Sequence, residues 1–157
     1  MITVRKATIE DLQVIQDFNN KLCAKENLDF DSTINPHFAT SEGGLRYFTS
    51  NIEDNEKLVL LAKDESTPIG YLVGGIETVG DYRTIPNICE VDNMWVDEAY
   101  RSQGVGKKLM DTITTWAKER GIKRMRVIAS HQNEKGINFY KREGFAEYDL
   151  ILEKDIL

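Results

Sequence analysis

Cysteine is scarce in this chain, and that scarcity excludes two classes of small protein. Only two of the 157 residues are cysteine, Cys23 and Cys89. Two thiols so far apart cannot form a disulfide framework, and no Cys/His cluster has the spacing of zinc ligands. We therefore expect two reduced thiols with structural roles, and no metal cofactor.

The chain also lacks a long apolar run and an excess of basic residues. No apolar stretch approaches the ~20 residues that cross a bilayer, and the N-terminus has no apolar core followed by a cleavage site. The net charge of −6 argues against a general nucleic-acid binder, which needs a basic face to neutralise phosphates. These absences predict a cytoplasmic protein with neither a membrane nor a nucleic acid as partner.

Length and composition are those of one small globular domain. With 41% apolar and 29% charged residues, the chain falls near globular averages, so disordered and fibrous classes are excluded. A chain of 157 residues buries about two-thirds of its unfolded surface around one core. We predict a single domain covering residues 1–157.

The most informative segment is VDNMWVDEAYRSQGVG, residues 91–106, followed by the helical pattern KKLMDTITTWAKERG. A helix that begins at glycines offers unpaired N–H groups and a partial positive charge, which together bind phosphate. A Walker loop would require Ser or Thr after its lysine, but Lys108 follows Lys107. A dinucleotide fingerprint would require a third glycine where Leu109 stands. A different phosphate ligand is therefore indicated.

The remaining motif, R-x-x-G-x-G, resembles the acyl-CoA pyrophosphate loop of the GNAT (Gcn5-related N-acetyltransferase) superfamily. A second stretch, NEKGINFYKREGF at residues 133–145, is similar to the signature N-x-x-A-x-x-F-Y-x-x-x-G-F of that family. Gly136 replaces its alanine, which weakens the local helix by about 1 kcal/mol. The N-terminal strand and helix agree as well. Residues 30–56 and 79–88 match no family feature.

Apolar periodicity predicts an alternating order of elements, β-α-(α)-β-β-β-α-β-α-β. Strands are expected at residues 2–7, 58–62, 69–76, 88–96, 124–129 and 145–152. Helices are expected after Thr8, from about 104 to 121, and at 133–142. The predicted fold class is α/β, with helices and sheet in α+β layers. The resemblance implies the GNAT acyl-CoA N-acyltransferase fold, a mixed, mostly antiparallel sheet with a splayed parallel central strand pair and flanking helices.

The resemblance further implies that acetyl-CoA is the cosubstrate. Its pantetheine arm would pair with the strand edge, and its pyrophosphate would lie on the loop, largely through main-chain N–H groups. Asn133 would reach the CoA arm, or else would serve only as a helix N-cap. The residues implied to bind acetyl-CoA are Met94, Trp95, Val96, Arg101, Ser102, Gln103, Gly104, Val105, Gly106, Lys107, Asn133 and Tyr140.

Acyl transfer to a protonated amine requires a proton acceptor. Strict alternation along the strand would place Glu90, Asp92, Met94 and Val96 on one face and the intervening residues on the other. Either acid could be the general base, and Asp92 is preferred because it is nearer the loop. His131 is an alternative base, although a surface position is the simpler interpretation.

The departing thiolate requires a proton donor, and Tyr140 is the candidate general acid. Its alternative role is to pack beside Phe139 on an amphipathic helix. Neither histidine is near Cys89 in sequence, so a covalent enzyme intermediate is not expected. The predicted reaction is direct transfer within a ternary complex.

The sequence leaves the acceptor open. Acidic and aromatic residues are interleaved in segments 30–56 and 79–88, a mixture that suits an amine with an apolar part. We expect a small-molecule or peptide amine. The alternative is a CoA-binding regulatory domain without turnover. Many members of the family form dimers, so a homodimer is the assembly implied, although the sequence itself leaves the oligomeric state open.

Overall fold

Five strands form one mixed sheet in the computed structural model, which describes residues 1–157. They are, in chain order and in sheet order, β1 (Ile2–Lys6), β2 (Lys57–Asp64), β3 (Thr67–Thr78), β4 (Asn87–Val96) and β5 (Met125–Val127). The first four strands pair antiparallel, while β4 and β5 run parallel. The predicted mixed, mostly antiparallel sheet is confirmed.

Four α-helices connect these strands: α1 (Leu12–Asp29), α2 (Glu42–Glu53), α3 (Val105–Glu119) and α4 (Glu134–Arg142). The predicted N-terminal cap at Thr8 begins a 3₁₀ turn that leads into α1. There the Asp11 carboxylate accepts a hydrogen bond from the Thr8 N–H at 2.8 Å. It also accepts hydrogen bonds from both terminal nitrogens of Arg5, at 2.7 and 2.8 Å. None of the helices combines the length and apolar character that a membrane crossing requires.

The sheet separates two hydrophobic clusters. One lies between the sheet and α3 and includes Leu60, Leu72 and Ile113. The other lies against α1 and α2 and includes Phe18 and Phe48. The alternation of side chains along β2 and β3 supplies both clusters, because successive residues point to opposite faces.

The predicted final strand at 145–152 is wrong. Residues 145–157 contain no strand, and residues 146–157 are exposed and take part in no main-chain hydrogen bond. A strand exists only where a neighbour pairs with its N–H and C=O groups, and the adjacent β5 is also shorter than the predicted 124–129. Phe145 is partly buried, but the apolar side chains after it, which suggested a strand, are exposed.

Strict alternation along β4 is also wrong, because the strand contains a β-bulge at Asp92. Gly74 of β3 pairs with Val91 and Val73 pairs with Asn93, so Asp92 has no partner. The extra residue reverses the phase of the strand. Before the bulge, Val91 contacts the hydrophobic cluster between the sheet and α3. In a regular strand Asn93 would be the next residue on that face, but after the bulge Met94 contacts the cluster instead. Glu90 and Asp92 therefore do not share a face with Met94 and Val96.

The central parallel pair separates beyond the bulge. The ladder between β4 and β5 joins only residues 89–91 to residues 125–127. From Asp92 to Val96 the main chain of β4 has no strand partner on the β5 side, and residues 128–130 are not in a strand. The predicted splay is confirmed, and it leaves a free β4 edge that leads directly to the loop before α3.

Candidate functional site

The loop before α3 presents a row of unpaired main-chain donors. None of the N–H groups of residues 102–107 donates a hydrogen bond within the chain, and the first helical bond here is made by the Lys108 N–H. Gly104 is the N-cap residue, with φ +82°, and a Cβ at this position would meet no atom within 4 Å. Free donors, the helix dipole and open space together fit a diphosphate.

The charged side chains of this loop have partners within the chain. The Arg101 guanidinium lies 4.6 Å from the Trp95 ring centroid, and its Nε donates to the Val96 carbonyl at 2.8 Å. Lys107 pairs with Asp111 at 3.0 Å, which raises the pKa of the lysine. The groups of this loop that are left free for an anion are therefore its main-chain N–H groups.

The second glycine of the loop has a different role. A Cβ on Gly106 would lie 3.2 Å from the Phe139 ring, so the first turn of α3 and α4 pack closely there. Phe139 belongs to the second sequence motif, which means that the two motifs form one packed unit. Asn133 is the N-cap of α4, where its Oδ1 accepts the Gly136 N–H at 3.0 Å.

A cleft of about 1970 Å³ brings the predicted catalytic residues together. Glu90, Asp92 and Tyr140 all line it, as do the exposed His131 and the loop residue Lys107. The N-cap residue Asn133 and loop residues 101–106 do not line this cleft, and the remaining implied positions, Met94–Val96, lie on the β4 edge beyond it.

The two acids of β4 have different partners. Arg126 of β5 donates to the Glu90 carboxylate and neutralises it. The Asp92 carboxylate instead accepts from the Tyr47 hydroxyl at 2.9 Å. Burial raises the pKa of Asp92, and the hydrogen bond from Tyr47 and the charge of Lys57 oppose that increase. A carboxylate with a raised pKa and no strong cation bound to it has the properties of a general base.

Tyr140 lies in an aromatic group with Phe139 and Phe145, at centroid distances of 5.3 and 5.8 Å. Its hydroxyl makes no hydrogen bond within the chain, so it is free to donate into the cleft. Burial, together with the carboxylate of Glu26 on α1, raises the pKa of Tyr140 to about 12. The phenol therefore stays protonated throughout the neutral range.

Sequence reasoning missed several polar side chains near Asp92. Four of them line the cleft, namely Glu26, Tyr47, Asn93 and Arg126. Asn19 lies outside it and joins Tyr47 and Asn93 in one hydrogen-bonded group. Two signals could have revealed part of this group. Asn19 is a polar residue within the apolar stripe of α1, and the Asp92-Asn93 pair is unfavourable within a regular strand. Nowhere does the structure gather three or more metal-ligating side chains.

Comparison with known proteins assigns the family. A model of the acetyltransferase (GNAT) family matches residues 23–145. An uncharacterized N-acetyltransferase of Methanocaldococcus jannaschii is 24% identical over 149 residues, which cover 95% of this chain and 62% of that protein. The chain belongs to the GNAT acetyltransferase family, as its two motifs predicted.

Solved structures share the fold. A mutant of protein BH1408 from Bacillus halodurans superposes with a TM-score of 0.87 at 16% identity, with 99% of both chains covered. An aminoglycoside N-acetyltransferase solved in complex with CoA superposes with a TM-score of 0.79 at 15% identity, with 99% of this chain and 95% of that chain covered. The chain spans less than two-thirds of the length of its M. jannaschii relative. It spans nearly the whole length of the two solved structures.

Proposed function

We propose that the protein is an acetyl-CoA-dependent N-acetyltransferase that acts on a primary amine by direct transfer. The observation that carries this proposal is spatial: a free strand edge leads from a half-buried carboxylate, Asp92, to a helix N-terminus with six unpaired N–H groups, at residues 102–107. The first feature suits proton removal and the second suits a diphosphate. The CoA bound to the aminoglycoside acetyltransferase of the same fold supports this cosubstrate.

The residues divide the chemistry between them. Acetyl-CoA supplies the thioester, which the amine nitrogen attacks as the carbon–sulfur bond breaks. The Asp92 carboxylate accepts the proton of the amine, and the Tyr140 hydroxyl donates to the departing sulfur. Main-chain N–H groups of Met94–Val96 polarise the carbonyl, as in an oxyanion hole. Because Glu90 is neutralised by Arg126, it is the weaker candidate base.

The proposed acceptor is a small-molecule or peptide amine that carries positive charge. Glu26, Asp31 and Asp92 give the cleft acidic groups, and Phe30 and Ile34 give it apolar surface. This combination attracts an ammonium group and also buries an aliphatic or aromatic part. The aminoglycoside acetyltransferase of the same fold supports a small-molecule acceptor.

Two measurements test the assignment. Binding of CoA should stabilise the folded protein by about 2.7 kcal/mol at a hundredfold excess over Kd. The enzyme should also release thiol from acetyl-CoA when one or more amines are added from a panel of aminoglycosides, polyamines, amino-acid derivatives and peptides. No thermal shift with CoA would remove the cosubstrate. A shift without thiol release for any amine would favour the regulatory CoA-binding alternative.

A matched pair of variants tests the base. Asp92→Asn and Glu90→Gln each remove one negative charge from the same strand and the same cleft. We expect the first to lower kcat/KM by about 10²–10⁴-fold, the range of general acid–base catalysis, and the second by less than tenfold. Equal losses would contradict the choice of Asp92. Activity and pH profile preserved in both variants would mean that another group accepts the proton.

A further inference from the structure

We propose that Tyr47 is the positioning residue of the catalytic base, and that it holds the Asp92 carboxylate at the end of a directed chain of hydrogen bonds from α1. The inference rests on the proposed function, because it concerns the base of that reaction. Tyr47 belongs to α2, outside the two sequence motifs that indicated the family.

Four hydrogen bonds form the chain. Asn19 Nδ2 donates to Tyr71 Oη at 2.8 Å, and Tyr71 Oη donates to Asn93 Oδ1 at 2.6 Å. Asn93 Nδ2 then donates to Tyr47 Oη at 3.0 Å, and Tyr47 Oη donates to Asp92 Oδ2 at 2.9 Å. The chain thus crosses from α1 through β3 and β4 to α2, and returns to β4 at the base.

The direction of the chain follows from the charge at its end. An ionised carboxylate can only accept, so the single hydroxyl proton of Tyr47 must point to Asp92. The Tyr47 oxygen then accepts from Asn93, which turns the amide oxygen of Asn93 toward Tyr71. Tyr71 must donate to that oxygen and accept from Asn19. Because each donor polarises the next, such a chain strengthens the final bond to the carboxylate.

The surroundings keep these groups in place. The Tyr71 side chain is fully buried and stacks on Phe18, with centroids 6.1 Å apart and rings parallel to within 1°. Tyr47 meets Phe48 edge-on at 4.9 Å. The β-bulge is essential to the arrangement, since it lets Asp92 and its neighbour Asn93 both reach the α2 side of the sheet.

The charges around Asp92 leave the Tyr47 hydrogen bond as the principal stabiliser of its ionised form. Lys57 also favours that form, but Lys57 is paired with Glu77. Titratable groups face Asp92 or its hydrogen-bonded neighbours from every surrounding element. They are Cys23 and Glu26 of α1, Tyr47 of α2, Lys57 of β2, Tyr71 and Glu77 of β3, Cys89 and Glu90 of β4, and Arg126 of β5. Glu77 and Glu90 disfavour the charge on Asp92.

The test is Tyr47→Phe, read out as the pH dependence of kcat/KM. Loss of a hydrogen bond to the carboxylate raises the pKa of Asp92, so the acid limb should move to higher pH by about one unit. Activity on that limb falls about tenfold, while activity on the plateau at higher pH falls less. Ser50→Ala is the matched control, because it removes a hydroxyl from the same helix at an exposed position that does not line the cleft, and it should leave the profile unchanged.

A second background separates positioning from a merely structural role. If Tyr47 acts through Asp92, then Tyr47→Phe should cause no further loss of activity when added to Asp92→Asn. Asn93→Ala, which breaks the chain one bond earlier, should shift the acid limb in the same direction but by less. An unchanged limb in Tyr47→Phe, or a full additional loss in the Asp92→Asn background, would overturn the inference.

Failure of this inference is distinct from failure of the proposed function. An absence of CoA binding or of thiol release in the unaltered protein removes the proposed function itself, and the inference with it. Activity with an acid limb that Tyr47→Phe does not move removes only the positioning role of Tyr47.

Discussion

A single methyl group added at either end of α3 tests whether the loop conformation creates the CoA site. Gly104 precedes the helix with φ +82°, and Gly121 follows it with φ +73°. A Cβ at either position meets no atom within 4 Å. Alanine at each site therefore introduces the same backbone strain and no steric clash, so the two variants differ only in their position on the helix.

The expected cost of each change is the cost of a left-handed conformation for a residue with a Cβ, about 1–2 kcal/mol. For a protein of this size that corresponds to a fall in Tm of roughly 2–8 °C. In Gly104→Ala the loop can relax to release part of the strain, and CoA must then restore the original conformation when it binds. That requirement raises Kd by up to about 5–30-fold.

Both quantities are measurable on the same samples: Tm without ligand by thermal unfolding, and Kd for CoA by calorimetry. We expect both variants to lose Tm and only Gly104→Ala to lose affinity, because the N–H groups of residues 102–107 lie at that end alone. An equal loss of affinity in Gly121→Ala, or an unchanged affinity in Gly104→Ala, would refute the assignment of the diphosphate to this loop.

Three further variants probe separate parts of the structure. Tyr140→Phe should lower kcat about 10²-fold, and intact turnover of this variant at every pH would remove the role of Tyr140 as general acid. Because burial raises the pKa of Tyr140 to about 12, the unaltered enzyme should lose no activity to ionisation of this tyrosine below about pH 11. The pKa of Asp11 is lowered to about 2 in the folded protein. Its ionised carboxylate therefore adds about 2 kcal/mol to the free energy of unfolding. This contribution is present above the pKa of Asp in the unfolded chain, near 4, and disappears as pH falls to about 2. Urea titrations should therefore show a difference between the unaltered protein and Asp11→Asn that shrinks over that range, and a constant difference would contradict the ion pair. Gly136→Ala should leave Tm nearly unchanged. Alanine stabilises the helix by about 1 kcal/mol, but its new Cβ would lie 2.5 Å from Asn133 Nδ2 and would displace the Asn133 side chain from its capping position. Adding Asn133→Ala should then lower Tm no further, and a large further fall would show that the cap survived.

The amino-acid sequence determined the features that depend on neighbouring residues. The glycine pattern at 104 and 106 predicted an anion-binding helix N-terminus, and the donors there are unpaired in the structure. Apolar periodicity predicted α1, α3, α4 and the five strands that the structure contains, whereas α2 lies in segment 30–56, for which the sequence predicted no helix bounds. These features are local, because a helix cap or an amphipathic stripe is encoded within a few residues.

Only the tertiary structure decided which side chains share the site. Tyr47 lies 45 residues from Asp92, and Arg126 lies 36 residues from Glu90, so nothing in either segment specifies these contacts. The bulge at Asp92 arises from the register of β3 on β4, and it reverses the faces that simple alternation assigned. The missing final strand has the same cause: a segment with strand-like residues becomes a strand only where a partner pairs with its main chain. Contacts between distant segments depend on register and pairing, and those are properties of the folded chain.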